Sequence, residues 1–263
     1  NIDYGTDKVS SNLAEGAGVF NLDTKEVLYS QNLFGKLYPA STTKILTAYI
    51  IIKHCDLNDM VTISSDAVAN MAGSSVCGIN AGDQISVKDL LYGLMLVSGN
   101  DAANALAEYY SGSVEEFARV MNEEALALGA TNSHFVNANG LPDDEHYTTV
   151  YDMYLIFSNA IKNDTFVSII GTTSYDVTYT DASGEAVTHT WENTNQYLTG
   201  NATTPDGFQI VGGKTGTTGE AGYCLVLYSY NPSGQPIISI VFKADGKSNL
   251  YLLMNEMLQG FAI

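Results

Sequence analysis

Apolar runs of strand-like length lie at both ends of the chain. Near the N-terminus, AGVFNL (17–22) and VLYS (27–30) flank the turn DTKE, a pattern that predicts a β-hairpin. Near the C-terminus, GYCLVLYS (222–229) and PIISIVFK (236–243) flank NPSGQ in the same way. Because strands stand at both ends with helical patterns between them, we predict one sheet formed from the two termini.

Helical patterns occupy the middle of the chain and its C-terminus. Three helices open with a capping box, in which a serine or threonine precedes an acidic residue by three positions: Ser86-x-x-Asp89, Ser113-x-x-Glu116 and Thr149-x-x-Asp152. A further helix from about Ser41 to His54 is so apolar that it should be buried. The C-terminal helix has one apolar face, made of Leu250, Leu253, Met254, Met257 and Leu258.

The remaining segments complete the fold prediction. Residues 59–85 look irregular, 135–149 read as a long loop on the surface or over a site, and 174–191 predict another hairpin. We predict one α/β domain of the α+β type over residues 1–263, with a mainly antiparallel sheet flanked by helices. The sheet subdomain should comprise about 1–58 and 165–263. The inserted, mostly helical subdomain should comprise about 59–164, with a cleft at the junction.

Composition and charge narrow the function classes. The chain is 45% hydrophobic and 15% charged, which is typical of a globular protein and argues against disorder. Its net charge of −18 is spread along the chain, whereas a nucleic-acid partner requires clustered lysine and arginine. The opening NIDYGTDKVS shows no secretory leader, and the apolar run near 45–52 is too short to cross a bilayer. A cytosolic protein and a chain numbered after processing both fit these observations.

The cysteines do not predict a metal site. Cys55, Cys77 and Cys224 lie far apart and form no C-x-x-C pair, so zinc binding is not expected. Because the number is odd, at least one thiol should be free unless a partner chain supplies its mate. A Cys55–Cys77 disulfide in an oxidising compartment stays open at this point.

Ser41 and Lys44 form the first candidate for chemistry. Three residues apart at a helix start, their side chains share one face, and the helix N-terminus favours negative charge there. A lysine in apolar surroundings loses basicity through desolvation, so it could accept the serine proton. An arbitrary S-x-x-K, however, is more often an N-cap serine followed by a lysine whose stem lies along the surface with its amine in water.

Two more short motifs have structural and functional interpretations. Ser98-Gly99-Asn100 separates two predicted helices. It could simply cap the second helix, or it could present two polar side chains at an interface. GGKTGTT (212–218) resembles a phosphate loop, but Phe208 stands where the first glycine should be, and the segment is strand-like. We therefore reject nucleotide binding: the motif is either an ordinary glycine-rich hairpin or a strand that a substrate backbone can approach closely.

In the order STTK, SGN, KTG, the three motifs resemble those of the penicillin-recognising serine enzymes. Longer segments around the motifs are similar in sequence to serine-type D-alanyl-D-alanine carboxypeptidases, the low-molecular-weight penicillin-binding proteins. These segments are YPASTTKILTA, LLYGLMLVSGNDAANALAE, NANGLPDDEHYTTVYDM and VGGKTGTTGEAGYCLV, and the similarity extends from about residue 14 to the C-terminal helix. The resemblance implies a β-lactamase/transpeptidase-like fold and catalysis with neither metal nor organic cofactor.

The resemblance also implies a role for each motif residue. Ser41 would be the nucleophile, Lys44 its general base, Ser98 a proton relay and Asn100 a partner of the substrate amide. Lys214, Thr215, Gly216 and Thr217 would bind the substrate strand, with the two threonine hydroxyls facing its terminal carboxylate. The backbone N–H groups of Ser41 and Thr217 would form an oxyanion hole.

The implied substrate is the bacterial wall stem peptide ending in D-Ala-D-Ala, and β-lactams would acylate Ser41. The chain would then act outside the cytoplasm, secreted or associated with the envelope, with any leader, further β-rich domain or membrane anchor absent or removed. Some relatives hold the substrate carboxylate with an arginine after the last core strand. Here KADGKSN (243–249) has none, Arg119 is not expected to reach the cleft, and Lys243 and Lys247 should add only long-range attraction.

Several rival functions use parts of the same site. A β-lactamase needs a glutamate in an E-x-x-L-N loop, which is missing between Asn100 and Lys214, where Glu145 is the nearest loop candidate. A Ser-His-Asp hydrolase lacks the G-x-S-x-G elbow. A non-catalytic protein that only binds wall peptide or senses β-lactams would have no use for the complete set of polar groups. An endopeptidase that cuts wall cross-links would use the same residues and differ in cleft shape.

Overall fold

The computed structural model describes residues 2–263, which contain two antiparallel sheets. The strands of the larger sheet are β1 (Ala14–Asn21), β2 (Val27–Gln31), β7 (Gln209–Thr218), β8 (Gly222–Tyr230) and β9 (Pro236–Ala244). They are ordered β2-β1-β9-β8-β7, with each neighbouring pair antiparallel. The N-terminal hairpin lies beside the final strand, which confirms the prediction of one sheet from both termini.

Both faces of this sheet are covered. Along β8, Leu225 and Leu227 point into one apolar cluster and Val226 and Tyr228 into another, as the two-residue period of a strand requires. The C-terminal helix covers the first face, and the predicted apolar stripe of that helix is buried there. Each such aliphatic side chain contributes roughly 1.5–3 kcal/mol by leaving water.

The smaller sheet differs from the sequence prediction. Its strands, in spatial order, are β3 (Met60–Thr62), β4 (Gln84–Ser86), β5 (Ser174–Thr180) and β6 (Ala186–Glu192). The predicted hairpin of β5 and β6 exists, but it pairs with β4 rather than with the terminal sheet. Alternation within a hairpin does not specify which sheet it joins, so the pattern over 174–191 could not indicate this second sheet. The division into two subdomains stays a prediction.

The helices pack against the two sheets and against one another. They are α1 (Lys44–His54), α2 (Val87–Leu96), α3 (Asn100–Ser111), α4 (Val114–Ala127), α5 (Val150–Ala160), α6 (Asp164–Ile170), α7 (Gln196–Thr199) and α8 (Lys247–Phe261). All three predicted N-caps are confirmed, since the hydroxyls of Ser86, Ser113 and Thr149 each accept the backbone N–H three residues on. Helix α1 is largely buried as predicted, but it begins at Lys44, after a 3₁₀ turn over Ala40–Thr43.

None of the helices within residues 2–263 combines the length and the hydropathy needed to cross a membrane.

In the same range, the thiols of Cys55, Cys77 and Cys224 are all free. Cys77 and Cys224 are buried, and burial raises the pKa of Cys224 to about 12, so this thiol stays protonated at neutral pH.

Candidate active site

Ser41 lies in the 3₁₀ turn that precedes α1, wedged between a strand and a loop. On one side, a Cβ added to Gly216 of β7 would lie 2.8 Å from the backbone nitrogen of Ser41. On the other side, Gly140 has φ +93°, and a Cβ there would lie 1.9 Å from the carbonyl oxygen of Ala40. Only glycine permits both approaches, so the turn is held in place by its neighbours.

The amine of Lys44 is the centre of the site. Its Nζ lies 2.8 Å from Ser41 Oγ and 3.1 Å from Ser98 Oγ. It also lies 2.7 Å from Asn100 Oδ1 and 2.8 Å from the carbonyl oxygen of Asn139. Lys44 is fully buried, so these four oxygens are its polar surroundings within the described chain. The structure thus brings together the predicted residues of the first two motifs.

The geometry fits a neutral amine that can act as a base. Burial lowers the pKa of Lys44 well below its ordinary value, and the positive charge of Lys214 lowers it further. A neutral amine has two N–H groups and one lone pair. The amide oxygen of Asn100 and the carbonyl oxygen of Asn139 can only accept, so they take the two N–H groups. The lone pair is then free to accept the proton of the Ser41 hydroxyl.

Asn139 is a member of the site that sequence reasoning missed. Its carbonyl belongs to the loop over 135–149, which was predicted to lie on the surface or over a site, and which does contact the Ser41 turn. The neighbouring carbonyl of Ala138 accepts from the hydroxyl of Thr47, one turn along α1 from Lys44. A backbone carbonyl has no residue-type signature, so no sequence motif could have indicated its role.

Next to Asn100 in the chain lies a buried carboxylate, that of Asp101, which sequence reasoning also missed. Ser98 has φ +60°, an uncommon conformation for a residue other than glycine, and Asn100 begins α3. Asp101 is buried and accepts backbone N–H groups of Cys77 and Gly78, at 2.8 and 3.1 Å. It lies in the first turn of α3, where the helix dipole favours a negative charge. The charge of Asp101 also acts on Lys44, opposing the fall in its pKa.

The third motif lies on β7, as predicted. Lys214 is buried, burial lowers its pKa to about 7, and its Nζ donates to the carbonyl oxygen of Thr215 at 2.8 Å. The Thr215 hydroxyl lies 2.6 Å from that of Thr194, another residue absent from the sequence prediction. At neutral pH, the amine of Lys214 is therefore about half protonated.

These groups surround a cleft of about 240 Å³. The predicted residues in its wall are Ser41, Ser98, Thr215, Gly216 and Thr217, whereas Lys44, Asn100 and Lys214 are buried behind it. Lys247, at the start of α8, also lines the cleft. From the sequence, Lys247 was expected to add only long-range attraction, because the path of the chain after β9 cannot be predicted from its residues.

The remaining charged candidates have other partners. Arg119 is exposed on α4 and pairs with Glu116 and Glu123, as expected for a residue that does not reach the cleft. The histidine side chains bond elsewhere too: His54 to Glu124, His134 to the carbonyl of Glu145, His146 to Thr43 and His189 to Tyr179. Over residues 2–263, no group of three or more histidine, cysteine or acidic side chains could hold a metal ion.

Residues 6–246 match the peptidase family S11, described as D-alanyl-D-alanine carboxypeptidase. The chain belongs to this family. It is 36% identical over 251 residues to the D-alanyl-D-alanine carboxypeptidase DacF of Bacillus subtilis, an alignment that covers 93% of this chain and 61% of the relative. It is 34% identical over 267 residues to a D-alanyl-D-alanine carboxypeptidase of Streptomyces, covering 95% and 88% of the two chains.

Solved structures of D,D-peptidases share the fold. The crystal structure of the Streptomyces DD-transpeptidase superposes with a TM-score of 0.85 at 32% identity, covering 94% of this chain and 97% of that chain. The carboxypeptidase DacD from Francisella tularensis gives 0.80 at 27% identity, covering 94% and 70%. The predicted β-lactamase/transpeptidase-like fold is confirmed. The described chain corresponds to 61% of the Bacillus relative's length and to most of the Streptomyces one.

His146 ties the loop over 135–149 to the Ser41 turn and should make the fold sensitive to acid. Its Nδ1 accepts the N–H of Val136 at 3.1 Å, so its proton lies on Nε2, 2.8 Å from the Thr43 hydroxyl. Burial lowers the pKa of His146 to about 4. Because the unfolded chain binds the proton from pH 6.5 downwards, the free energy of unfolding should fall by up to about 3 kcal/mol between pH 6.5 and 4.

Urea unfolding at pH 7, 5.5 and 4 measures this loss. His146→Gln should be less stable at pH 7 but should lack this share of the pH dependence. A variant whose unfolding free energy falls as steeply as that of the wild type would show that carboxylates elsewhere, rather than His146, cause the acid sensitivity.

Proposed function

We propose that the chain is a serine D,D-peptidase that removes the terminal D-alanine from wall stem peptides through an acyl-enzyme on Ser41. The observation that carries this proposal is the position of the buried Lys44 amine, 2.8 Å from Ser41 Oγ, 2.7 Å from Asn100 Oδ1 and 2.8 Å from the carbonyl oxygen of Asn139. A neutral amine in this position would donate to Asn100 and Asn139 and would turn its lone pair to the Ser41 hydroxyl. Membership of the carboxypeptidase family supports the same substrate class.

The reaction then follows from the positions of these groups. Ser41 Oγ bonds to the carbonyl carbon of the penultimate D-alanine as its proton passes to Lys44 Nζ. The developing oxyanion takes hydrogen bonds from the backbone N–H groups of Ser41 and Thr217, each donor lowering the barrier by roughly 3 kcal/mol. The proton continues through Ser98, 3.1 Å from Lys44 Nζ, to the leaving nitrogen, and the C–N bond breaks. Water then hydrolyses the ester and restores Ser41.

A synthetic pentapeptide ending in D-Ala-D-Ala tests this function directly. Mass spectrometry should detect the tetrapeptide and free alanine as the products. A matched peptide ending in L-Ala-L-Ala is the control and should stay intact. If the D,D-peptide also stays intact under conditions in which the protein is folded, the proposed function is wrong.

The rival functions are less well supported by the site. Glu145, the only loop glutamate considered as a lactamase base, lines a different groove from the one that contains Ser41. After the β-lactam ring opens, the leaving nitrogen stays attached to the adduct and does not depart as D-alanine does, so without a carboxylate to activate water the penicillin ester should persist. Rapid and repeated nitrocefin hydrolysis would favour a lactamase instead. A role restricted to binding wall peptide would leave the neutral Lys44 beside Ser41 without a purpose.

The same proposal sets partners and location. The partners are the stem peptide and β-lactams, with no nucleic acid, and the chain acts outside the bacterial cytoplasm, where the wall is assembled. Labelled wall sacculi should bind Ser41→Ala, because this variant keeps the groups that recognise the peptide but cannot cleave it.

Recognition of the substrate carboxylate should depend on Thr215 and Lys247, which line the cleft that contains Ser41. Thr215→Val removes a hydroxyl, and Lys247→Ala removes the charge of an exposed lysine at the start of α8. A hydrogen bond to a charged group contributes about 1.5–3 kcal/mol, so each change should lower kcat/KM on free-carboxylate peptides about tenfold or more.

A substrate with an amidated C-terminus provides the comparison. The wild type should prefer the free acid, and both variants should lose much of that preference. Lys88 is an exposed lysine on α2, and the control variant Lys88→Ala should keep the preference. If Lys247→Ala retains the full preference at physiological salt, its contribution is only the long-range attraction expected from the sequence.

A further inference from the structure

A short connecting segment between β6 and α7, residues 193–195, is tied to two other parts of the fold. The backbone N–H of Thr194 donates to the carbonyl oxygen of Leu96, the last residue of α2, at 3.1 Å. The side-chain amide of Asn193 donates to the carbonyl oxygen of Thr172, which follows α6, at 3.0 Å. Because both bonds involve backbone carbonyls of distant segments, the position of the connecting segment is fixed by the packing around it.

Only the middle residue of the connecting segment reaches the cleft that contains Ser41. Asn193 and Asn195 are buried, whereas Thr194 is exposed and lines the cleft. The Thr194 hydroxyl lies 2.6 Å from the hydroxyl of Thr215 on β7. Over residues 2–263, neither hydroxyl has another hydrogen-bond partner. The connecting segment therefore brings a hydroxyl from outside the three motifs to a residue of the third motif.

The presence of a substrate carboxylate determines which of the two hydroxyls donates to the other. In the proposed function, Thr215 faces the terminal carboxylate, which can only accept hydrogen bonds. A hydroxyl has one proton, so Thr215 must give its proton to the carboxylate. The bond of 2.6 Å can then have only Thr194 as its donor. In such a chain each hydrogen bond polarises and strengthens the next one.

We propose that Thr194 is a positioning residue for carboxylate recognition: it donates to Thr215 and so directs the Thr215 proton to the terminal carboxylate of the substrate. This inference rests on the proposed function and adds a specificity-determining residue to it. Thr194 acts on recognition and not on the reacting atoms. Its loss should therefore raise KM for free-carboxylate peptides and leave kcat nearly unchanged.

Thr194→Val tests this role with a side chain of similar shape that lacks the hydroxyl. On a peptide ending in D-Ala-D-Ala, KM should rise about threefold, the scale of a strengthened hydrogen bond that is lost. On the same peptide with an amidated C-terminus, KM should not change. Thr194→Ser keeps the donor and should keep the wild-type KM on both peptides. The matched control is Thr188→Val, which removes one hydroxyl of the exposed Thr178–Thr188 pair in the β5–β6 hairpin and should alter neither value.

Binding without turnover shows whether Thr194 acts through Thr215. On the Ser41→Ala background, isothermal titration calorimetry with the free-acid peptide should give about threefold weaker binding for Thr194→Val. When Thr215→Val is already present, adding Thr194→Val should cause no further loss, because the hydroxyl that Thr194 positions is gone.

Each alternative outcome contradicts a stated part of the inference. Equal losses on the acid and the amide would show that Thr194 shapes the cleft in general, and a Thr194→Ser variant as weak as Thr194→Val would show that its hydroxyl is not what matters. Losses that multiply in the Thr194→Val/Thr215→Val variant would overturn the route through Thr215. If the wild type cleaves the D,D-peptide and Thr194→Val matches it in every measurement, the inference fails while the proposed function holds. If the wild type neither binds nor cleaves the peptide, the proposed function fails and the inference fails with it.

Discussion

Labelled penicillin is expected to attach to Ser41, with one label per chain. The strained β-lactam amide resembles the scissile bond, and Lys44 Nζ lies 2.8 Å from the attacking Oγ. Among the described residues that line the cleft, none carries a carboxylate that could activate water against the ester, and Glu145 lines a different groove. The adduct should therefore survive digestion, and peptide mapping should place the label on the segment that contains Ser41.

Ser41→Ala should abolish the label entirely. Because the substitution removes one partly buried hydroxyl, the free energy of unfolding should change by only about 1 kcal/mol. A second serine in the cleft provides the comparison: Ser98→Ala should slow labelling and still yield the adduct on Ser41. Label on any other residue would contradict the assignment of the nucleophile.

The fold could be predicted where a local pattern determines the structure. Caps at Ser86, Ser113 and Thr149 are three-residue signals, and the apolar face of α8 repeats every three to four residues. The terminal sheet followed from strands at both chain ends. The smaller sheet did not, because β3 and β4 have only three residues each, too few for an alternating pattern to be visible.

The site divides in the same way. Ser41, Lys44, Ser98 and Asn100 carry side-chain chemistry in short motifs, and the structure brings them within hydrogen-bonding distance of one amine. Asn139 contributes a backbone carbonyl, which any residue could provide.

The positions of Asp101 and Lys247 in the site could not be predicted, for another physical reason. Asp101 acts through its burial and its backbone donors, and Lys247 through its position at the start of α8. Both roles depend on how distant segments pack together, and no local pattern encodes that packing.

The two lysines of the site should respond differently to the same substitution. Lys44→Arg should lower the rate of penicillin acylation on the order of a thousandfold, within the range of a lost general base. A guanidinium stays protonated and cannot accept the Ser41 proton. It also has no lone pair to face Ser41 once it donates to Asn100 and Asn139. Lys214→Arg keeps a positive charge beside the substrate strand and should retain measurable acylation. Stopped-flow measurement of adduct formation compares the two variants with the wild type.

The pH profile distinguishes a base from a fixed charge. Acylation needs neutral Lys44, so the rate should rise with pH as that amine loses its proton.

Burial lowers the pKa of Lys214 to about 7, so in the wild type its positive charge is lost as pH rises through 7, and binding of free-carboxylate peptides should weaken there. Arginine does not titrate in this range, and Lys214→Arg should therefore bind such peptides equally well at pH 6 and pH 8.5. If the alkaline weakening persists in Lys214→Arg, another group causes it. If Lys44→Arg acylates as fast as Lys214→Arg, the base is not Lys44, and the four oxygens around its amine serve only to hold the fold.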